Sequence, residues 1–244
     1  MIRCFLASGQ WAAGAAELDE SESKHLVSVL RAQAGDRIGI LDGEGQRGEA
    51  EVVAPHKKRT AIRILSRTAA APVAPRRILV QALVREQKMD WLIQKAVELG
   101  AHEIWPLQAE QAVVRIRPEE AAKKAARWQA IALGACKQSG NPWMPRIAPV
   151  RGLADALAAL PAEAAACFGA LQEDAAPLPA FFGRLRRENR PQVAMFIGPE
   201  GDFSAGEVEA LRAAGVQPVS LGPVVLRVET AALFILSALQ YAWL

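Results

Sequence analysis

The stretch VAMFIGPEGDF, residues 193–203, runs five apolar residues into a turn built on glycine and proline. LGPVVLRVETAA, residues 221–232, does the same behind the apolar run at 216–221. A short, nearly continuous apolar run bounded by turn residues reads as a strand buried on both faces. Runs of this kind recur at 77–84 (RILVQALV), 103–107 and 165–171. Between them the period changes. Residues 86–99 place Met89, Leu92, Ile93, Ala96 and Val97 at helical spacing and stop before Gly100. Residues 118–139 open on Pro118 with Glu119 and Glu120 behind it and carry Lys137 near the end, a helix with both termini matched to its dipole. Ser204 followed by Glu207 predicts a capping box, and residues 231–244 read as a buried helix. Apolar strands alternating with helices predict an α/β domain, its mostly parallel sheet covered by helices on both faces.

The N-terminal part has a different rhythm. Short β-like runs at 37–41, 48–53 and 60–65 are separated by Asp42-Gly43, Gly45 and Pro55, which predicts a small antiparallel sheet or barrel, and residues 22–31 predict a short helix. Residues 66–77 (SRTAAAPVAPRR), with Pro72 and Pro75 and no apolar stripe, read as a linker, giving domains at 1–70 and 74–244.

Composition narrows the class. With 51% hydrophobic and 23% charged residues, the 244-residue chain is not a disordered segment, and no apolar run approaches the ~20 residues that span a bilayer, so no membrane role is expected. Three dispersed cysteines, Cys4, Cys136 and Cys167, argue against a disulfide framework and for a reducing, cytoplasmic setting. The three histidines stand near no cysteine or carboxylate at ligand spacing, so no metal site is expected. Net charge is +1 over residues 1–72, +5 over 73–150 and −3 over 151–244, which suggests one surface facing a polyanion.

In open α/β sheets ligands bind beyond the carboxyl ends of the strands. Three exits here are candidates: Gly198-Pro199-Glu200-Gly201-Asp202, Gly222-Pro223-Val224-Val225-Leu226-Arg227, and Gln172-Glu173-Asp174. Glycines there let backbone N–H and C=O groups approach a ligand closely. The chain has no Gly-x-Gly-x-x-Gly, no phosphate loop ending in Gly-Lys-Ser/Thr, and no Gly-x-Ser-x-Gly elbow.

IGPEGDF (197–203), LGPVVLRVETAA (221–232), QKAVELG (94–100) and the N-terminal HLVSVLR (25–31) together resemble the ribosomal RNA small subunit methyltransferase E family of the SPOUT superfamily. The resemblance implies methylation of uridine N3 in 16S rRNA of the small ribosomal subunit, with S-adenosylmethionine as methyl donor. It further implies a PUA-like β-barrel at the N-terminus, a C-terminal α/β domain closed by a trefoil knot, and a homodimer. By position, it implies a cofactor cradle of Leu171, Gly198, Pro199, Glu200, Gly201, Leu221, Gly222, Val225 and Leu226. Arg227 and Glu229 match the charged pair of the second motif and are expected to act on the base: Arg227 supporting the uracil anion, Glu229 orienting it or relaying the proton. Arg3, His25, Arg31, Lys88, Lys95 and Gln138 match positions expected to face RNA. The chain departs from the family's usual residues at Gln111, Asn141, Asp202 and Val224.

Two other functions fit parts of the sequence: a non-catalytic RNA-binding or ribosome-assembly factor, and a SPOUT 2′-O-ribose methyltransferase. The second usually shows Asn-x-x-x-Arg, whereas the residues four beyond Asn141 and Asn189 are Pro145 and Val193.

Overall fold

The computed structural model describes residues 1–12, 14–172 and 174–244. Glu173, part of one candidate strand exit, lies outside the described residues. The chain divides into two units: Met1–Pro72 with Leu133–Met144, and Val73–Ala132 with Pro145–Leu244.

The first unit is a five-stranded sheet in the order β1-β3-β4-β5-β2, from β1 (Arg3–Phe5), β2 (Ala15–Glu17), β3 (Arg37–Leu41), β4 (Gln46–Ala54) and β5 (Ala61–Ala69). β3, β4, β5 and β2 pair antiparallel, while β1 joins β3 in parallel. The runs at 37–41, 48–53 and 60–65 thus mark the three central strands. β1 and β2, three residues each, are too short to carry a readable alternation. The strand reading at 60–65 stops early and the linker at 66–77 starts too soon. Backbone pairing with β4 carries β5 on through Ser66, Arg67, Thr68 and Ala69, polar or small residues that an exposed strand accepts.

The helix predicted at 22–31 is α1 (Glu20–Lys24), capped by the Asp19 carboxylate, running into a single π-turn at His25–Val29. Glu22, buried, anchors this unit. Its carboxylate accepts from the Phe5 backbone N–H at 3.1 Å and from Lys137 Nζ at 2.6 Å. Desolvation, together with the Glu22 charge, pushes the neighbouring Cys4 thiol up to about 12, so this cysteine is inert near neutral pH.

The second unit is a seven-stranded, fully parallel sheet in the order β10-β12-β9-β11-β6-β7-β8. Its strands are β6 (Arg76–Ala82), β7 (Glu103–Leu107), β8 (Arg146–Ile147), β9 (Ala164–Gly169), β10 (Ala176–Pro177), β11 (Gln192–Ile197) and β12 (Gln217–Ser220). Alternate residues of the central strands point to opposite faces. Ile78, Val80, Trp105, Phe168 and Phe196 pack with Leu153 and Ala156 of α4 (Leu153–Ala158) and Leu211 of α6 (Ala205–Ala213). On the other face, α7 (Val228–Ala242) packs on β11 and on α2 (Glu86–Glu98), burying Ala232, Ile235, Leu236 and Leu239 with Met89, Leu92 and Ile93. α5 (Leu178–Arg187) flanks the β10 edge, and α3 (Pro118–Ser139) follows β7. The α/β sheet with helices on both faces is as the sequence predicts. The capping box at Ser204 and Glu207 forms, and the Glu207 carboxylate also accepts from the Glu110 backbone N–H.

At the amino ends of the strands, buried Glu103 accepts from Arg76 at 3.0 Å, Arg146 at 2.7 Å and Trp105 Nε1 at 2.9 Å. Burial alone would raise its carboxyl, but these donors hold it below the ordinary value of 4.5. A lowered folded-state pKa means stability that is present above about pH 4.5 and lost as pH falls through the lower native value. Glu103→Gln is therefore expected to flatten acid-induced loss of stability in this window, read from urea midpoints at stepped pH. Phe196→Ala, which empties the centre of one sheet face, is expected to cost about 3–5 kcal/mol in urea unfolding.

Candidate functional site

Four adjacent strands, β12, β9, β11 and β6, end on one edge of the sheet, and the exits of the first three, with the helix after β6, line a cavity of about 360 Å³. The β11 exit contributes Gly198, Pro199, Glu200 and Asp202; the β12 exit contributes Leu221, Gly222 and Val224–Arg227; β9 contributes Gly169, Ala170 and Leu171. Lys88, in the first turn of α2 behind β6, and Val228 and Ala231 of α7 complete the wall.

Backbone geometry explains the glycines. Gly222 sits at φ +128°, a conformation L side chains rarely adopt, though a Cβ there would meet only open space. At Gly198 a Cβ would press on the Phe203 ring at 3.2 Å, and at Gly169 on Leu221 at 3.3 Å, so both allow the loops to close on the strands. Gly201 does not line the cavity; it faces Gln111, whose Oε1 would lie 2.7 Å from an added Cβ. Asp202 stands in left-handed backbone at φ +65°. Its carboxylate accepts from the Phe203 N–H at 2.8 Å, the local bond that lets aspartate take a position suited to glycine, while Ser204 caps the helix that follows.

The charged groups converge at one side. Arg227 is the N-cap residue of α7, exposed, and forms no ion pair among the described residues. Glu229, in the first turn, pairs with Lys88 Nζ at 3.2 Å, and Lys88 lies 3.8 Å from Glu200. Burial pushes the Glu229 carboxyl upward, but its own backbone N–H, the Lys88 ammonium and Arg227 outweigh it and hold the group below the usual carboxylate range. Glu229 is thus an anion at neutral pH with low proton affinity.

An apolar-walled cavity of this size, floored by loop backbone and edged by two carboxylates and two cations, suits a charged, nucleoside-sized ligand. Comparison with known proteins sharpens this. The RNA methyltransferase domain family matches residues 72–240, and the RNA methyltransferase PUA domain family matches residues 18–65. The ribosomal RNA small subunit methyltransferase E of Bacillus subtilis is 31% identical over 90% of this chain and 87% of its own length. The chain belongs to the ribosomal RNA small subunit methyltransferase E family.

A crystal structure of the family's member from Neisseria gonorrhoeae, bound to S-adenosyl methionine, is 30% identical with a TM-score of 0.88, covering 100% of this chain and 98% of that one. A methyltransferase from Legionella pneumophila, in complex with the same cofactor, is 31% identical with a TM-score of 0.86, covering 99% and 98%.

Within this family fold, eight of the nine residues expected to cradle the cofactor line one cavity, Gly201 being the exception, and Arg227 joins them. Lys88, expected to face RNA, lines the same cavity and holds Glu229. The others expected to face RNA are dispersed. Lys95 pairs with Glu98 at 2.8 Å. In the first unit, Arg3 donates to the carbonyls of Lys137 and Gln138 at 3.1 and 2.8 Å, while His25, Arg31 and Gln138 are exposed. Arg31 adopts φ +57° one residue beyond the Leu30 cap of the π-turn. The sequence reading missed Gly169, Ala170, Val228 and Ala231 as cavity wall; the glycine closing β9 was the available signal. Among the described residues no cluster of three or more His, Cys, Asp or Glu could hold a metal ion, and no helix is long and apolar enough to cross a membrane.

Gly222→Ala is expected to cost about 1–3 kcal/mol through backbone strain alone, since the new methyl meets no neighbour. Urea denaturation measures this, and calorimetry with S-adenosylmethionine is expected to show weaker binding by the same variant.

Proposed function

We propose that this protein methylates N3 of a uridine in 16S rRNA of the small ribosomal subunit, with S-adenosylmethionine as donor. The observation that carries the reading is that the two glycine-bearing exits, 198–202 and 221–227, wall one cavity in a chain whose relatives of similar fold hold this cofactor. The residues fit the group. Leu171, Ile197 and Leu226 offer apolar surface for a base, loop backbone offers donors and acceptors to its edge, and Glu200 and Asp202 place negative charge on the wall for a sulfonium. Bound there, the cofactor supplies an electrophilic methyl group.

The chain's own residues then act on the uracil. N3 carries a weakly acidic proton, so the charge that develops on the ring needs a cationic partner. Arg227, unpaired at the head of α7, supplies it, and Glu229 fixes the positions of neighbouring cations; its low proton affinity suits that role better than proton relay. N3 lies on the pairing edge, so the target base must be unpaired or extruded to reach the cavity.

The two units divide the work: residues 1–70, joined by the returning segment 133–144, position RNA through Arg3, His25, Arg31 and Gln138, and the rest of 74–244 carries the cofactor within a trefoil knot. The protein works in the cytoplasm as a homodimer. An apolar cleft between α5 and α7, edged by Phe234 (44% exposed) and Tyr241 (81% exposed), supports a second copy docking there.

Incubating the protein with methyl-labelled cofactor and unmodified small subunits is expected to yield one N3-methyluridine per 16S rRNA by nucleoside mass spectrometry. Arg227→Ala is expected to slow transfer by about 10²–10³-fold while calorimetric cofactor affinity holds. Wild-type protein that gives no binding heat with the cofactor would instead identify an assembly factor.

A further inference from the structure

Lys88 is the cation whose placement the RNA-facing role does not explain. It sits in the first turn of α2, its backbone N–H bonded to the Arg85 carbonyl, and its side chain, 35% exposed, lines the cavity. Nζ lies 3.2 and 3.3 Å from the two oxygens of Glu229 and 3.8 Å from Glu200, carboxylates from two different elements. An ammonium has three protons, and a lysine held by two carboxylates at the wall of a cavity still has a donor to offer inward. The other charges around it are Arg227 and Asp202 on the cavity wall and Arg85 and Glu86 beside it in sequence. Val224, on the same wall, offers only an exposed apolar side chain.

We infer that Lys88 is a catalytic residue: its ammonium, aimed by Glu229 and Glu200, donates to a uracil carbonyl oxygen and, with Arg227, stabilises the ring anion. The inference rests on the uridine-N3 reading. In the balanced step, the N3–H bond breaks and its proton passes to solvent water. The N3 electron pair forms the bond to the methyl carbon, and the S–CH₃ bond breaks with its pair staying on sulfur. Lys88 keeps all its protons. It lowers the cost of the N3 anion, whose charge is shared with the adjacent oxygens.

Such a role predicts a dependence on the intrinsic acidity of the base that a merely structural lysine would not show. The full-length protein, Lys88→Met and Lys88→Arg are compared on small-subunit RNA carrying uracil or 5-fluorouracil, whose N3–H is more acidic. Lys88→Met is expected to cut kcat about 10²–10³-fold with KM for RNA little changed, Lys88→Arg to recover part of it, and 5-fluorouracil to shrink the defect about tenfold. Without cofactor, at mildly alkaline pH, wild type is expected to bind fluorinated RNA several-fold tighter than its uracil counterpart, a preference lost in Lys88→Met. An equal defect with both bases, or one matched by lost cofactor affinity in calorimetry, would overturn the assignment and leave the methyltransferase reading standing. Wild-type protein that makes no N3-methyluridine would overturn that reading and the assignment with it.

Discussion

A parallel sheet buried on both faces is the constraint from which the site follows. Parallel strands must be re-entered from the same end, so the crossovers leave from one edge and, except between β9 and β10, a helix carries the chain back. Four neighbouring strands, β12, β9, β11 and β6, therefore deliver their exits to one place although they lie far apart in sequence. Burial of Phe168 and Phe196 on one face and of α7 on the other fixes the strands firmly enough that short glycine-bearing loops can hold a shaped cavity. The chemistry borrows its rigidity from the core.

The cavity's electrostatics are frugal. Lys88 and Arg227 provide its positive charge and Glu200 and Asp202 its negative charge, with Glu229 behind the wall holding Lys88. A cationic donor and a base that becomes anionic make opposite demands on one small space. Carboxylates for the one and cations for the other can coexist if each sign is held apart by its own partner, and the Lys88–Glu229 pair does this across two helices.

Much of this was legible in the sequence. The strands at 103–107 and 193–197 and the helix at 118–139 are read from period and length to within a residue, since long, strongly patterned segments leave little ambiguity. The two glycine loops were legible as candidate ligand loops because each follows a buried strand, and the family resemblance supplied the ligand. What escaped depended on tertiary context. β1 and β2 exist only because β3 and β5 offer edges to pair with. Gly201 follows the motif yet faces Gln111, and Lys88 reads as one more cation on a basic helix until Glu229, 141 residues away, is seen to hold it.

The N-terminal unit is discontinuous, and this bears on how the protein can be divided. Residues 133–144 return from far along the chain to supply Lys137 to buried Glu22 and the Trp143 ring that lies over Gly45. A fragment ending at residue 72 would leave that carboxylate stranded without its counter-charge and strip the loop at 42–45 of its cover. Recombination between relatives, in the laboratory or in evolution, would have to exchange both segments together.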